Sequence, residues 1–221
     1  MCGCSIILIK TKLLFLSLVI ISFCLFANDL LSKDTYAHGK VFLMNNDTLN
    51  VYVKVESLYN MQNGIQYVDS IGIEHLLNPA KAKGFNLVYS DGTMVFESRN
   101  DLTKVLFQLK NPGYYFVQRI LDGKLSLYYF VEKKLVMEGI DQVLIEKARY
   151  FVRINEEWYT ITKEYFKNDC RKIFSILKRE GFVNEIKALV NDIDSDKYKY
   201  EDTPTIIDRC NHLILSGNKL V

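Results

Sequence analysis

Three aspartates at alternate positions are the strongest candidate for a chemical site in this sequence. Asp192, Asp194 and Asp196 have the spacing of the first ligands of an EF-hand loop, where alternate carboxylates converge on one calcium ion. The rest of that pattern is missing, because Lys197 stands where the loop needs glycine and Thr203 where it needs a bidentate glutamate. The spacing therefore favours a solvated loop between two helices, and we expect no bound metal.

Histidine and cysteine offer little for zinc binding or nucleophilic catalysis. His38, His75 and His212 are far apart, and no His-x-x-x-His or Cys-x-x-Cys spacing occurs after residue 27. Cys170 and His212 could form a nucleophile and a base, but Cys170 lies on the apolar stripe of a predicted helix, where a thiol is inert. Gly-x-Ser-x-Gly, Gly-x-Gly-x-x-Gly and P-loop motifs are absent. We predict no catalytic residue and no cofactor, and an enzyme is the less favoured class.

Six aromatic residues on one predicted hairpin are a candidate binding surface. They are Tyr114, Tyr115, Phe116, Tyr128, Tyr129 and Phe130. Because neighbouring residues of a strand face opposite sides of the sheet, half of these side chains should enter the core and half should face outward. Two interpretations stay open: a well-covered sheet face, or an exposed aromatic face that binds a protein or a glycan.

Residues 1–27 have the order of charge and hydropathy that is typical of a secretory signal peptide. Lys10 and Lys12 precede an apolar run from Leu13 to Phe26, and the small residue Ala27 stands just before Asn28-Asp29. We therefore expect cleavage near Ala27 and export to the periplasm, the outer envelope or the extracellular space.

An uncleaved membrane anchor is the alternative for this segment. A membrane-spanning helix needs about 20 apolar residues, and the run that starts at Leu13 is shorter. An extension back to Ile6 would place Lys10 and Lys12 inside the bilayer, at a cost of about 2.5–3.5 kcal/mol each. Length and charge therefore favour the cleaved signal peptide, and we expect membrane contact only if the segment is retained.

Without residues 1–27 the chain is electrically balanced. Their removal takes away two lysines and no acidic residue, which leaves 26 cationic and 26 acidic side chains. A neutral domain has no global field that would attract nucleic acid or an anionic membrane. Two cysteines remain, Cys170 and Cys210, and the sequence leaves open whether they pair.

Residues 28–162 are predicted to form a β-rich domain built from hairpins. Lys40 to Met44 and the alternating residues Leu49 to Glu56 are predicted to form a hairpin across residues 45–48. Asp91-Gly92 and Asp122-Gly123 are the turn signals of two more hairpins. A further hairpin is predicted around Asn155-Glu156-Glu157. The fold class is therefore α+β, with an antiparallel β-sandwich or open barrel followed by helices.

Residues 163–221 are predicted to form two or three amphipathic helices that pack on the β-rich domain. Thr162 is expected to cap the first helix and Gly181 to end it, and Thr203-Pro204 is a helix start signal. Three apolar stripes recur at helical spacing. They are Phe166, Cys170, Ile173, Phe174 and Leu177, then Phe182, Ile186, Leu189, Val190 and Ile193, then Ile206, Ile207, Cys210, Leu213 and Ile214.

Four short motifs lie within residues 36–195. They are Gly39-Lys-Val-Phe-Leu-Met-Asn-Asn-Asp47-Thr-Leu, Leu77-Asn-Pro79 with Lys83-Gly84-Phe85, Gly123-Lys-Leu-Ser-Leu127-Tyr128, and Tyr165-Phe166 with Asp169-Cys170. Together they resemble a family of uncharacterised secreted β-rich proteins from Bacteroidota-type bacteria, although Asn46 stands where that family favours glycine and Leu77 where it favours an aromatic residue. The resemblance implies a signal peptide, a β-rich domain and a helical end, and it implies no activity.

The favoured function is an exported, non-enzymatic binding or interaction module of the envelope or the extracellular space. Export, neutral charge, the tyrosine-rich hairpin and the lack of a catalytic constellation favour this class. The alternative is a secreted hydrolase whose carboxylates meet only in the fold, as in glycosidases, where the pair lies about 5–9 Å apart. A deep pocket with two facing carboxylates, one of them with a raised pKa, would favour the hydrolase.

Overall fold

The computed structural model describes residues 35–104, 113–138 and 141–217, which contain ten β-strands and four α-helices. The strands are β1 (Tyr36–Leu43), β2 (Thr48–Lys54), β3 (Ile65–Val68), β4 (Glu74–Leu77), β5 (Ala82–Tyr89), β6 (Gly92–Arg99), β7 (Tyr115–Leu121), β8 (Ser126–Glu138), β9 (Asp141–Ile154) and β10 (Glu157–Ile161). The helices are α1 (Leu58–Asn63), α2 (Phe166–Arg179), α3 (Val183–Asp194) and α4 (Thr203–Gly217). The predicted signal peptide lies outside the described residues.

The ten strands form one antiparallel sheet in the order β10-β9-β8-β7-β6-β5-β1-β2-β3-β4. The four predicted hairpins are the pairs β1–β2, β5–β6, β7–β8 and β9–β10. The change from strands to the C-terminal helices falls between Ile161 and Phe166. The predicted α+β class, with an antiparallel β part followed by helices, is confirmed. Within the described ranges, no helix is long and apolar enough to cross a membrane.

The first half of the sheet encloses a core of its own. The Phe85 ring stacks on Phe96 with centroids 4.4 Å apart, and Phe116 meets Phe85 edge-on at 5.0 Å. Helix α1 contributes Met61 to the same core. The buried members are Ala37, Val41, Val51, Val53, Met61, Ile65, Tyr67, Leu77, Ala82, Phe85, Leu87, Phe96 and Phe116. This core holds β1–β6 together without help from the C-terminal helices.

Helices α2, α3 and α4 pack on the other half of the sheet. Most of the three predicted stripes are buried there, against strand residues such as Leu127, Val152 and Ile161. The buried helix residues are Phe166, Cys170, Ile173, Phe174, Leu177, Ile186, Leu189, Ile193, Ile206, Ile207, Cys210 and Ile214. The amphipathic pattern of the sequence therefore identifies the faces that pack on the strands.

Of the two predicted ends of α2, only the C-terminal end agrees with the structure. Gly181 has a φ of 100°, and its N–H donates to the Lys178 carbonyl while the Phe182 N–H donates to the Leu177 carbonyl. This pair of bonds is a Schellman motif, which confirms the predicted stop. The predicted cap at Thr162 is wrong, because α2 begins at Phe166.

A polar network covers the sheet face opposite the helices. Glu97 accepts hydrogen bonds from Arg119 at 2.7 Å and from the Tyr128 hydroxyl at 3.0 Å, and it forms an ion pair with Arg99 at 2.9 Å. The Arg99 guanidinium lies 5.5 Å from the centre of the Trp158 ring. Because most of these polar groups pair with one another in a partly buried position, with only the Arg99 Nε of the network unpaired among the described atoms, we assign them a structural role.

Cys170 and Cys210 are free thiols in the helical core, which answers the question that the sequence left open. Burial raises the pKa of both thiols to about 12. Because the thiolate is the reactive form, neither residue should react with iodoacetamide in the folded protein, and both should react in guanidinium chloride. Peptide mass spectrometry after alkylation measures this, and a peptide pair joined by a disulfide between the two cysteines would contradict it.

Candidate functional site

An open cleft of about 710 Å³ lies between the start of α2 and the linker that joins α3 to α4. One wall is formed by residues just before and within the first turns of α2, and the other by the linker. The lining residues are Lys163, Glu164, Tyr165, Phe166, Lys167, Asn168, Arg171, Asp196, Tyr198, Lys199, Tyr200 and Glu201. The cleft is large enough to bury part of a chain-like ligand.

The α2 wall is held in place by a contact between Asp169 and Thr162. Asp169 lies in the first turn of α2, and its Oδ2 accepts hydrogen bonds from both the backbone N–H and the hydroxyl of Thr162, each at 2.9 Å. These bonds pull the chain after β10 against the start of the helix. Thr162 therefore anchors the loop that carries Lys163 to Tyr165, instead of capping the helix.

Three ion pairs join the two walls. Lys167 and Arg171 are one turn apart on α2, and Lys163 lies in the loop just before the helix. Their partners are Glu201 at 2.8 Å, Asp196 at 2.7 Å and Asp194 at 2.9 Å, in that order. The paired side chains of the α2 wall are thus cationic and their partners are acidic, although Glu164 adds an acid to the first wall and Lys199 a cation to the second. Asp194, the last residue of α3, lies beside the lining residues. All six side chains are partly or largely exposed, so each pair contributes little to stability and can be exchanged for a ligand group.

Aromatic side chains supply the apolar part of the cleft. The Phe166 and Tyr200 rings meet edge-on with centroids 6.5 Å apart, and the Tyr200 hydroxyl donates to the Ala148 carbonyl at 3.2 Å. The Tyr198 hydroxyl accepts from Arg209 at 2.8 Å. These three rings are held in place, whereas Tyr165 is 65% exposed. The cleft therefore combines fixed aromatic rings with one ring that is free to contact a ligand.

The ion pairs set the charge state of the cleft. The hydrogen bond from Lys163 lowers the pKa of Glu201, and the same contact raises the pKa of Lys163. The hydrogen bond from Lys147 likewise lowers the pKa of Glu164. A lowered pKa in the folded state means that these contacts are complete above the ordinary carboxyl pKa. They are lost as the pH falls through the lowered value.

Removal of the Lys163 ammonium should raise the pKa of Glu201 toward its ordinary value. We expect the Glu201 carboxyl carbon of a Lys163→Met variant to titrate at a higher pH than in the wild type, measured by NMR across the acidic range. Lys172→Met, which removes an exposed ammonium outside the cleft, should leave the Glu201 midpoint unchanged. Equal midpoints in the wild type and the Lys163→Met variant would contradict the electrostatic description of the cleft.

The aspartate triplet does not converge on a common point. Asp192 contacts Lys197 at 3.0 Å and Arg209 at 3.3 Å. Asp194 and Asp196 face the α2 wall, as described above. Each carboxylate is therefore neutralised by a basic side chain, and in the described part of the chain no three His, Cys, Asp or Glu residues group in a way that could hold a metal ion. Asp196 instead belongs to the acidic wall, and Asp194, at the end of α3, pairs with Arg171 of the opposite wall.

The histidines and Cys170 lie apart. His38 meets the Tyr52 ring, His75 forms a 2.8 Å contact with Asp69, and His212 lies exposed beside Asp208. Cys170 is in the core, so the structure does not bring it together with His212 as a nucleophile and a base.

The six aromatic residues of the β7–β8 hairpin are mostly covered. Phe116, Tyr128 and Phe130 are buried, and Tyr115 and Tyr129 are half-buried. Tyr114, just before β7, is exposed. The alternation expected for a strand is present, but both faces of the sheet are covered at this place. The cleft therefore offers aromatic rings to a ligand more readily than the hairpin does.

Sequence reasoning missed the cleft as a unit. The signal was present, since cations recur every fourth residue from Lys163 to Arg171 and acids occur in the linker. The pairing of these two segments, however, depends on how α2 packs against α3, which periodicity does not specify. The acids were therefore interpreted only as a metal-binding pattern or a solvated loop.

Comparison of the chain with protein-family models, with curated proteins and with solved structures finds no match. The interpretation of the cleft rests on its own geometry.

Proposed function

We propose that this protein is an exported, non-enzymatic binding module and that the cleft between α2 and the α3–α4 linker is its binding surface. One observation carries the proposal: cationic side chains on one wall of the open cleft face acidic partners on the other, and aromatic rings line the space between them. A ligand can replace solvent-exposed ion pairs at little cost, because each pair contributes little to stability. Buried aromatic contact then supplies affinity.

The carboxylates of the cleft support binding over hydrolysis. A glycosidase needs one carboxyl group with a raised pKa that can act as a general acid. In the cleft, Glu164 and Glu201 have lowered pKa values because lysines donate hydrogen bonds to them. Carboxylates held in this state are suited to pairing with cations. This is the reverse of what the hydrolase alternative requires.

A polypeptide segment is the ligand class that fits this cleft best. Its two walls carry opposite charges, so a ligand with both acidic and basic side chains can replace the internal ion pairs with intermolecular ones. The exposed Tyr165 ring offers the kind of aromatic anchor that is common in protein interfaces. We therefore propose a protein partner of the envelope or the extracellular space.

Export is part of the proposal and has its own test. If residues 1–27 are a cleaved signal peptide, N-terminal sequencing of the protein recovered from the exported fraction should begin near Asn28. A soluble cytoplasmic protein that begins at Met1 would contradict export. A membrane-bound protein that begins at Met1 would indicate the uncleaved anchor.

Charge reversal of the cationic wall tests the binding surface. We expect a triple variant to retain at least tenfold less partner from an envelope extract than the wild type, because acids would then line both sides of the cleft. The variant is Lys163→Glu, Lys167→Glu, Arg171→Glu. A matched control, Lys40→Glu, Lys81→Glu, Lys172→Glu, makes the same change of net charge at exposed positions outside the cleft.

The outcomes separate the two classes of function. Retention that is lost only with the cleft variant, while both variants keep the circular dichroism of the wild type, supports the proposal. Equal retention by both variants would exclude the cleft as the binding surface. Turnover on a glycoside panel, with no partner retained, would replace the binding module with the hydrolase.

A further inference from the structure

A second, smaller pocket lies beside the cleft, between α2 and α3, and is here called the α2–α3 pocket. Its volume is about 270 Å³, and its lining residues are Arg171, Phe174, Ser175, Lys178, Val190 and Asp194. Sites that bury a whole small molecule usually have about 300–1,000 Å³. The α2–α3 pocket is therefore suited to a single side chain or to the end of a polypeptide.

The α2–α3 pocket continues the cleft along α2. Arg171 lines both cavities. Lys167, Arg171 and Lys178 are four and seven residues apart, so they lie on one face of the helix. A helical rise of about 1.5 Å per residue places Lys167 and Lys178 about 16 Å apart, a distance that about five residues of an extended polypeptide cover. A polypeptide that occupies the cleft can therefore also reach the pocket.

One cation of the α2–α3 pocket is not neutralised. Asp194 accepts from Arg171 twice, from Nε at 3.0 Å and from Nη2 at 2.9 Å, so these two charges balance each other. Lys178 is exposed and forms no ion pair and no side-chain hydrogen bond with the part of the chain that the structure describes. The pocket therefore carries one positive charge without a partner.

The rest of the pocket is largely apolar. Phe174 is buried and Val190 is half-buried, and both line the pocket. The Ser175 hydroxyl donates to the Lys172 carbonyl at 2.7 Å, so toward a ligand its oxygen can only accept. An apolar surface beside a single ammonium group is complementary to a carboxylate that stands next to an apolar side chain.

We propose that the α2–α3 pocket is the carboxylate subsite of the cleft, and that it binds an acidic group and an adjacent apolar residue of the same polypeptide partner. This inference rests on the proposed function of the cleft. The cleft presents both signs of charge and accepts acids and bases, whereas the pocket presents one unpaired cation and selects an acid. The carboxylate belongs to an Asp or Glu side chain or to the C-terminus of the partner, and the chemistry is the same in both cases.

A peptide array tests the subsite directly. The probe is a set of random peptides longer than the groove, each present with a free and with an amidated C-terminus, to which the purified protein is applied. We expect the wild type to bind peptides that share a carboxylate next to an apolar residue. Binding that survives amidation identifies an acidic side chain as the source, and binding that needs the free C-terminus identifies the end of the partner.

The variant Lys178→Glu should reverse this preference. We expect it to bind the best carboxylate-bearing peptide at least fivefold more weakly than the wild type and to select Lys or Arg at that position, whereas Lys178→Arg should keep the preference of the wild type. Lys172→Glu changes an exposed lysine of α2 outside both cavities and serves as the matched control. A Lys178→Glu variant that selects the same peptides as the wild type would overturn the subsite.

The variant Tyr165→Ala separates a failure of the subsite from a failure of the proposed function. If Tyr165→Ala loses the peptides that the wild type binds while Lys178→Glu keeps them, the cleft remains the binding surface and only the subsite is overturned. An array on which the wild type binds no peptide, or on which Tyr165→Ala selects the same peptides as the wild type, would contradict the proposed function and the subsite with it.

Discussion

Replacement of Asn211 by alanine should lower the free energy of unfolding by about 2–6 kcal/mol, since it leaves two buried backbone groups without a partner, at about 1–3 kcal/mol each. The Asn211 amide lies on α4 and bonds twice to Leu125, just before β8. Its Nδ2 donates to the Leu125 carbonyl and its Oδ1 accepts from the Leu125 N–H, both at 2.9 Å. Leu125 is fully buried, so water cannot replace these bonds.

The Asn211 prediction is checked by urea unfolding with two matched variants. Asn211→Asp keeps an acceptor for the Leu125 N–H but turns its second carboxylate oxygen toward the buried Leu125 carbonyl, so at neutral pH it should also be less stable than the wild type. His212→Ala changes the neighbouring exposed residue of α4 and should stay within about 0.5 kcal/mol of the wild type. Equal stability of Asn211→Ala and His212→Ala would show that the contact between α4 and Leu125 is unimportant.

Replacement of Gly84 by alanine should cost more than about 3 kcal/mol or prevent folding. A Cβ at Gly84 would lie 2.1 Å from the carbonyl oxygen of Phe96 in the adjacent strand. Because the obstacle is backbone, no side chain can move away, and β5 and β6 would have to separate. Overpacking of a core costs about 1–3 kcal/mol when side chains can shift, so a backbone clash should exceed that range.

Gly92 is a matched control for the Gly84 variant. It lies at the start of β6 with a φ of 151°, close to the φ of 158° at Gly84, and a Cβ there would meet nothing within 4 Å. Gly92→Ala therefore isolates the cost of the backbone conformation, about 1–3 kcal/mol. Thermal unfolding of both variants measures the difference. A Gly84→Ala variant as stable as Gly92→Ala would contradict the close approach of the two strands.

Local patterns in the sequence predicted most of the large elements. The Asp-Gly turns after β5 and β7 identified two hairpins, and the three apolar stripes identified α2, α3 and α4. These signals are local, because a tight turn and an amphipathic stripe are each encoded within a few residues. The elements that were not predicted, α1, β3 and β4, have only four to six residues each, and such short segments have no period that can be recognised.

Contacts between segments that are distant in the chain could not be predicted from the sequence. The first part of β9, from Asp141 to Tyr150, was not predicted as a strand, because its pairing with β8 is a register that only the assembled sheet defines. The same holds for the cleft, where Lys163 and Glu201 are neighbours in space and 38 residues apart in the chain. The sequence thus predicted the architecture and left the arrangement of the site to tertiary packing.

The account depends on the cleft being a surface that a partner occupies, and Tyr165 is its most accessible aromatic residue. Interface hot spots are enriched in such residues, and their truncation commonly costs about 2 kcal/mol or more in binding. Tyr165 is also a favourable position for a test, since 65% of it is exposed and its loss should affect the fold little. Tyr114 is an exposed tyrosine outside the cleft and serves as the control.

Retention of partner protein from an envelope extract by Tyr165→Ala, compared with Tyr114→Ala at equal protein concentration, is the most direct measurement. We predict that Tyr165→Ala retains at least tenfold less partner than the wild type, and that Tyr114→Ala retains as much as the wild type. Equal retention by the two variants, or a loss confined to Tyr114→Ala, would contradict the assignment of the cleft as the binding surface.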